Sequence, residues 1–148
     1  MTSVEALAAL SRMASTMAEL VILVDGSCKR NPGGECGRGG VVYSPWEDEP
    51  LVAWTDSLGS GTNNEAEWQA FIAGLEMAIG VRCETLTLNC DSQLVIRQFS
   101  GEYAVKKAHL QKFYLRAKEL AKQIPHLKVE WMPREKTKAA DAASRPGG

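Results

Sequence analysis

The sequence predicts an α/β domain built on a mixed five-stranded sheet with helices on both faces. Three observations predict it. Leu20-Val21-Ile22-Leu23-Val24 is a continuous, β-branched apolar run, the composition of a strand buried on both sides. Two further strand-like segments follow at turn-sized intervals, so the first three strands can pair antiparallel. Beyond them helical and strand patterns alternate, and strands separated by helices pair parallel through crossovers. The chain has 148 residues, enough for one domain with a real core.

Taken in order, residues 1–19 carry Val4, Leu7, Leu10, Met13 and Met17 at steps of three or four, one apolar helical stripe. This amphipathic segment precedes a domain over residues 20–148, and is expected to pack on that domain or fray as a terminus, or else to dock a partner. The buried strand ends near Asp25, and Asn31-Pro32-Gly33-Gly34 marks a turn. Strands are expected over Gly39–Ser44 and Pro50–Thr55, then a break at Gly59-Ser60-Gly61. A helix follows over Asn64–Ile79, capped by Thr62 or Asn63, with Glu65 favouring the positive end of its dipole. Glu84–Asp91 alternates Leu86 and Leu88 against Thr85, Thr87 and Asn89, a strand with one polar face. Ser92–Phe99 is a short helix broken by Gly101, and Val105–Gln123 a longer one ending before Pro125. Leu127–Trp131 is the last strand, and Thr137–Ser144 a closing helix stopped by Pro146.

Composition excludes several classes. The chain is 45% hydrophobic and 24% charged, so the body is not a disordered segment. It lacks the 18-residue apolar run of a membrane span. Lys plus Arg total 17 against 18 Asp plus Glu, which excludes a generic polybasic binder while leaving room for a local basic face. The N-terminus lacks the pattern of a secretory signal, so a cytoplasmic protein is expected. Cys28, Cys36, Cys83 and Cys90 form no C-x-x-C pair, and His109 and His126 are not at zinc-site spacing from them. Free, mostly buried thiols are expected.

Three acidic residues stand where an ordinary sequence would place something apolar. Asp25 ends the first strand, Asp91 ends the fourth, and Glu67 shares the helix side of Ala70, Phe71 and Gly74. A partly buried carboxylate is costly unless paired, and converging carboxylates repel one another. Arg or Lys partners would relieve that repulsion. Divalent cations such as Mg²⁺ would relieve it equally, since hard cations take carboxylate oxygens. A fourth carboxylate, Asp141, lies among Ala139, Ala140, Ala142 and Ala143, whose small side chains allow close approach.

VDGSCKRNPGGECGRGGVV resembles the first-strand signature of type 1 ribonuclease H. TNNEAEWQAFIAGLEMAI resembles that family's first helix, CDSQLVIRQFSGEY its fourth strand and following helix, and REKTKAADAAS its closing loop and helix. The motifs occur in order over roughly residues 20 to 144. The resemblance implies a ribonuclease H-like fold and an endoribonuclease that hydrolyses the RNA strand of RNA/DNA hybrids with two divalent ions, Mg²⁺ or alternatively Mn²⁺. Asp25, Glu67, Asp91 and Asp141 would be both the catalytic residues and the metal ligands. The family's Glu stands five residues after the Thr, which selects Glu67 over Glu65. Cys28, Asn31, Asn63, Asn64, Gln93 and Arg134 would contact substrate, the amides because they both donate and accept.

The chain also departs from the family. The loop before the last helix, Pro133-Arg134-Glu135-Lys136-Thr137-Lys138, has no His where members often have one; Arg134 or Lys136 stands in its place. A basic protrusion and a separate hybrid-binding domain are both absent from this short form, which leaves Lys106, Lys107 and Lys112 to meet phosphates. The implied enzyme is a monomer with no membrane partner. Two alternatives stand beside it: a catalytically silent hybrid-binding module of the same fold, and the ribonuclease H portion of a reverse transcriptase.

Overall fold

The computed structural model describes residues 1–30 and 32–133. The chain forms α1 (Ser3–Met13), β1 (Glu19–Cys28), β2 (Gly34–Tyr43), β3 (Val52–Gly61), α2 (Asn63–Gly80), β4 (Thr85–Cys90), α3 (Gln93–Phe99), α4 (Ala108–Ala121) and β5 (His126–Trp131). The five strands make one mixed sheet in the order β3-β2-β1-β4-β5, antiparallel among the first three and parallel from β1 to β4 to β5. This is the sheet the sequence predicts. The expected closing helix over residues 137–144 lies outside the described residues.

Helix α2 seats the core. Its N-cap Thr62 accepts from the Glu65 N–H while the Glu65 carboxylate accepts from the Thr62 N–H, so two otherwise orphaned donors are satisfied. Trp68, Ala70, Phe71 and Leu75 are fully buried along it. A methyl group on Gly74 would stand 2.7 Å from Leu88 Cδ1 and 3.1 Å from Val24 Cγ1, so the helix rides on β1 and β4 at contact distance. Trp68 stacks at 5.8 Å on Phe71 and meets Tyr114 of α4 edge-on at 6.3 Å, and its indole N–H donates to Gln98 Oε1 of α3 at 3.0 Å. On the opposite side of β1, Leu23 and Val41 form a small cluster with Val21, Tyr43 and Met132.

Strands β2 and β3 are longer than expected. Their glycine-rich halves show no side-chain alternation, yet the backbone ladder continues to Gly34 opposite Gly61. Leu58 is the extra residue of a bulge there, because Gly59 pairs with Cys36 and Ser57 with Gly37. Gly59, at φ 78°, accommodates the shift without steric cost. Conversely α4 is shorter than expected, starting at Ala108 after a Lys107 N-cap whose side chain makes no capping bond.

One expectation is corrected. Cys28 and Cys36 are joined in a disulfide. They are eight apart in sequence, but the antiparallel β1–β2 register sets them directly opposite each other, with Cα atoms 3.9 Å apart. Spacing conceals that pairing until the hairpin register is known. Cys83 and Cys90 are free and buried, as expected.

Helix α1 packs into the same core, with Ala6 and Leu10 fully buried and Leu7 close against Gly80. Its buried face is turned from the stripe read in the sequence: Val4 is 77% exposed and Met13 54%. Small Ala6 permits the close approach that a larger side chain would block. The helix is tied down at its N-terminus, where the Met1 carbonyl accepts from the Thr55 N–H of β3. Asp56 accepts from the Ser3 N–H at 2.8 Å and from Arg38 Nε at 2.9 Å, while Arg38 Nη1 donates to the Gln69 carbonyl of α2 at 3.1 Å.

Burial pushes the Asp56 carboxyl up, but the Ser3 hydrogen bonds and the Arg38 guanidinium outweigh it and hold the group below its ordinary value. A lowered folded pKa gives stability that is complete above the ordinary value of 3.8 and disappears as pH falls through the folded one. Asp56→Asn should therefore cost roughly 1–3 kcal/mol near neutral pH. The mutant should also lose the part of the parent's acid sensitivity that lies below pH 3.8, as urea melts across pH 2 to 7 would read.

Candidate active site

The carboxylates come together at one end of the sheet. Asp25 is 3% exposed near the C-terminal end of β1. Val24 pairs with Cys90 in the parallel β1–β4 ladder, so Asp25 and Asp91 follow side by side on neighbouring strands. Carboxyl ends of parallel strands are where open α/β sheets hold ligands. Glu67 arrives from α2. A methyl group on Gly26 would lie 2.1 Å from the Ala66 carbonyl oxygen and 2.5 Å from the Glu67 nitrogen, so the residue after Asp25 touches the backbone bearing Glu67. Glu67 and Asp91 are half-buried.

The Cys90 thiol registers this convergence. Burial pushes it up to about 12, and the charges of Asp91, Glu67 and Asp25 push in the same direction. A thiol so raised stays protonated at neutral pH in the metal-free chain. Asp25, Glu67 and Asp91 offer carboxylate oxygens, the donors that hard cations prefer. Among the described residues no three acidic, Cys or His side chains close into a ready-made metal cage. Mg²⁺ does not need one, because it keeps several waters and takes one or two carboxylates.

The remaining predicted contacts surround this edge. The Cys28 N–H donates to Asn63 Oδ1 at 3.1 Å, which fastens the end of β1 to the start of α2. The Cys28 side chain is committed to its disulfide and offers no thiol to a substrate. Asn64 is half-buried in the first turn of α2. Gln93 is exposed at the start of α3, whose N-cap Ser92 accepts from the Val95 N–H. Lys106, Lys107 and Lys112 are exposed at and before the start of α4. Asn31, Arg134 and Asp141 lie outside the described residues. Sequence reasoning missed Trp131, whose indole N–H donates to the Asp91 carbonyl at 3.1 Å. Its position as the last residue of a strand parallel to β4 was the available signal.

Residues 23–147 match a family described as reverse transcriptase-like. The fold is similar to the N-terminal RNase H domain of Rv2228c from Mycobacterium tuberculosis, with a TM-score of 0.81 and 35% identity over 86% of this chain and 91% of that one. It is equally similar to RNase H1 of the archaeon Halobacterium salinarum, with a TM-score of 0.81 and 30% identity over 86% and 95%. The chain belongs to the type 1 ribonuclease H family. A further ribonuclease H structure, LC11-RNase H1 in complex with an RNA/DNA hybrid, matches with a TM-score of 0.76 and 28% identity over 84% and 93%. Among curated proteins, the bifunctional protein Rv2228c is 37% identical over 123 residues, and the chain spans 34% of its length. Ribonuclease HI of Halobacterium salinarum is 35% identical over 119 residues, 80% of this chain and 58% of that protein.

The Gly26 contact yields a direct check on how the candidate site is assembled. Gly26→Ala should force β1 away from α2, lowering stability by roughly 1–3 kcal/mol or more in urea melts. Gly33→Ala should also be costly, but through its backbone at φ 89° and not through contact, so it should leave the β1–α2 approach in place.

Proposed function

We propose that this ribonuclease H domain is an endonuclease that hydrolyses the RNA strand of RNA/DNA hybrids with divalent metal ions. The observation that carries the reading is the meeting of Asp25, Glu67 and Asp91 at the carboxyl ends of β1 and β4. Asp141 would join them by its place in the family motif. These residues fit Mg²⁺, with Mn²⁺ as the alternative, and would hold it by oxygen alone. When bound, such ions supply a water nucleophile at neutral pH and offset charge at the scissile phosphate.

The chain's own part is positioning. Asp25 is buried, so its carboxylate is fixed by the surrounding strands and keeps a defined geometry. Glu67 stands on a helix that cannot slide, because Gly26 and Gly74 leave no slack against the sheet. Asn63, Asn64 and Gln93 offer amides that donate to and accept from sugars and base edges. The ribose 2′-hydroxyl is the group that distinguishes RNA from DNA, and Glu67 would accept from it. Lys106, Lys107 and Lys112 would neutralise phosphates. With a net charge of -1 the domain should bind weakly and lose affinity steeply with salt. The carboxylate set favours this reading over a silent binding module.

The test is cleavage of a labelled hybrid with Mg²⁺ and again with EDTA. The parent should cut only with the metal, and Asp25→Asn should be inactive while folding normally. Glu67→Gln should likewise be inactive. Glu65→Gln should keep most activity, since Glu65 is committed to the Thr62 capping box and Gln can serve that role. Cleavage by Asp25→Asn at saturating Mg²⁺ would remove the assignment.

A further inference from the structure

We propose that Trp131 is a substrate-contacting residue whose exposed indole face supports a nucleotide of the strand lying across Asp91; this rests on the hybrid-cleaving reading above. Trp131 ends β5, and its N–H is satisfied by the Asp91 carbonyl at 3.1 Å. Its one polar atom is therefore spoken for within the protein. Yet the residue remains 47% exposed, so what it shows to solvent is largely aromatic surface. Trp54 and Trp68, by contrast, are 1% and 0% exposed.

Trp131 borders a shallow cleft of about 150 Å³ shared with Gln93, Ile96 and Arg97. Arg97 is held there, its guanidinium 5.3 Å from the centre of the Tyr103 ring and its Nη1 donating to the Tyr103 hydroxyl. An aromatic face, an exposed amide and a fixed guanidinium together suit a nucleotide, since bases stack on indole without regard to sequence. Location selects the occupant. Trp131 is fastened to the main chain of Asp91, so a strand that presents a phosphate to the Asp91 carboxylate comes close to the indole. Trp46, the other well-exposed tryptophan, follows β2 beside Met17 and Glu19, at the end of the sheet away from the carboxylates.

The experiment uses the full chain with a short RNA/DNA hybrid in EDTA at low salt, following tryptophan emission. Hybrid should quench the parent and Trp46→Phe, and should leave Trp131→Phe unchanged. Trp131→Ala should weaken binding about tenfold and raise KM more than it lowers kcat. Trp131→Phe, which keeps a ring but loses the Asp91 hydrogen bond, should recover most of that affinity. Melting curves confirm that each variant is folded. Quenching that persists in Trp131→Phe, or parental affinity in folded Trp131→Ala, overturns the inference while leaving the parent's Mg²⁺-dependent cleavage standing. A parent that neither binds nor cleaves hybrid overturns the functional reading and this inference with it.

Discussion

Everything at the site depends on one close approach, that of α2 to β1. Two glycines make it possible. At Gly26 the strand presses on the Ala66–Glu67 peptide, and at Gly74 the helix presses on Val24 and Leu88. Side chains at either position would hold helix and strand apart. Without that contact Asp25 and Glu67 would belong to separate elements, and the protein would have two acidic residues in place of one site. The aromatic cluster of Trp68, Phe71, Phe99 and Tyr114 secures the helix from its other side, tying α3 and α4 to it.

That packing forces carboxylates together in a desolvated place, which opposes folding unless something offsets the charge. The Cys90 thiol is raised chiefly by its burial, and the three carboxylates add to that in the same direction. The surrounding structure is secured at several points. Here the N-terminal helix contributes, with Ala6 and Leu10 in the core and the Ser3–Asp56–Arg38 chain binding it to β2, β3 and α2. The Cys28–Cys36 disulfide closes the hairpin beyond Asp25, next to the Asn63 bond that fixes the end of β1. The sheet end that carries the candidate site is thus held from several directions.

Much of this was legible in the residues. The apolar run before Asp25 marked a central strand, and the helical phase of Glu67 put it on the side of Ala70, Phe71 and Gly74. Glu65 spends its carboxylate on the Thr62 cap. What was hidden depended on register. Glycine-rich β2 and β3 have no side-chain period to announce their length, and the disulfide emerges only once Cys28 stands opposite Cys36. The buried face of α1 depended on how near Ala6 could approach its neighbours. Trp131 ended a strand legible in the sequence, but only the β4–β5 register fixes its place beside Asp91.

The central claim is that these carboxylates are gathered to hold a divalent cation. Crystals of the parent grown with Mn²⁺, with diffraction recorded for anomalous scattering from the metal, test it most directly. An anomalous peak is expected within about 2.0–2.3 Å of an Asp25 carboxylate oxygen, with Glu67 or Asp91 turned toward the same ion or its waters. A fully occupied Mn²⁺ site elsewhere, with no peak at Asp25 and these side chains paired instead to Arg or Lys, would contradict it.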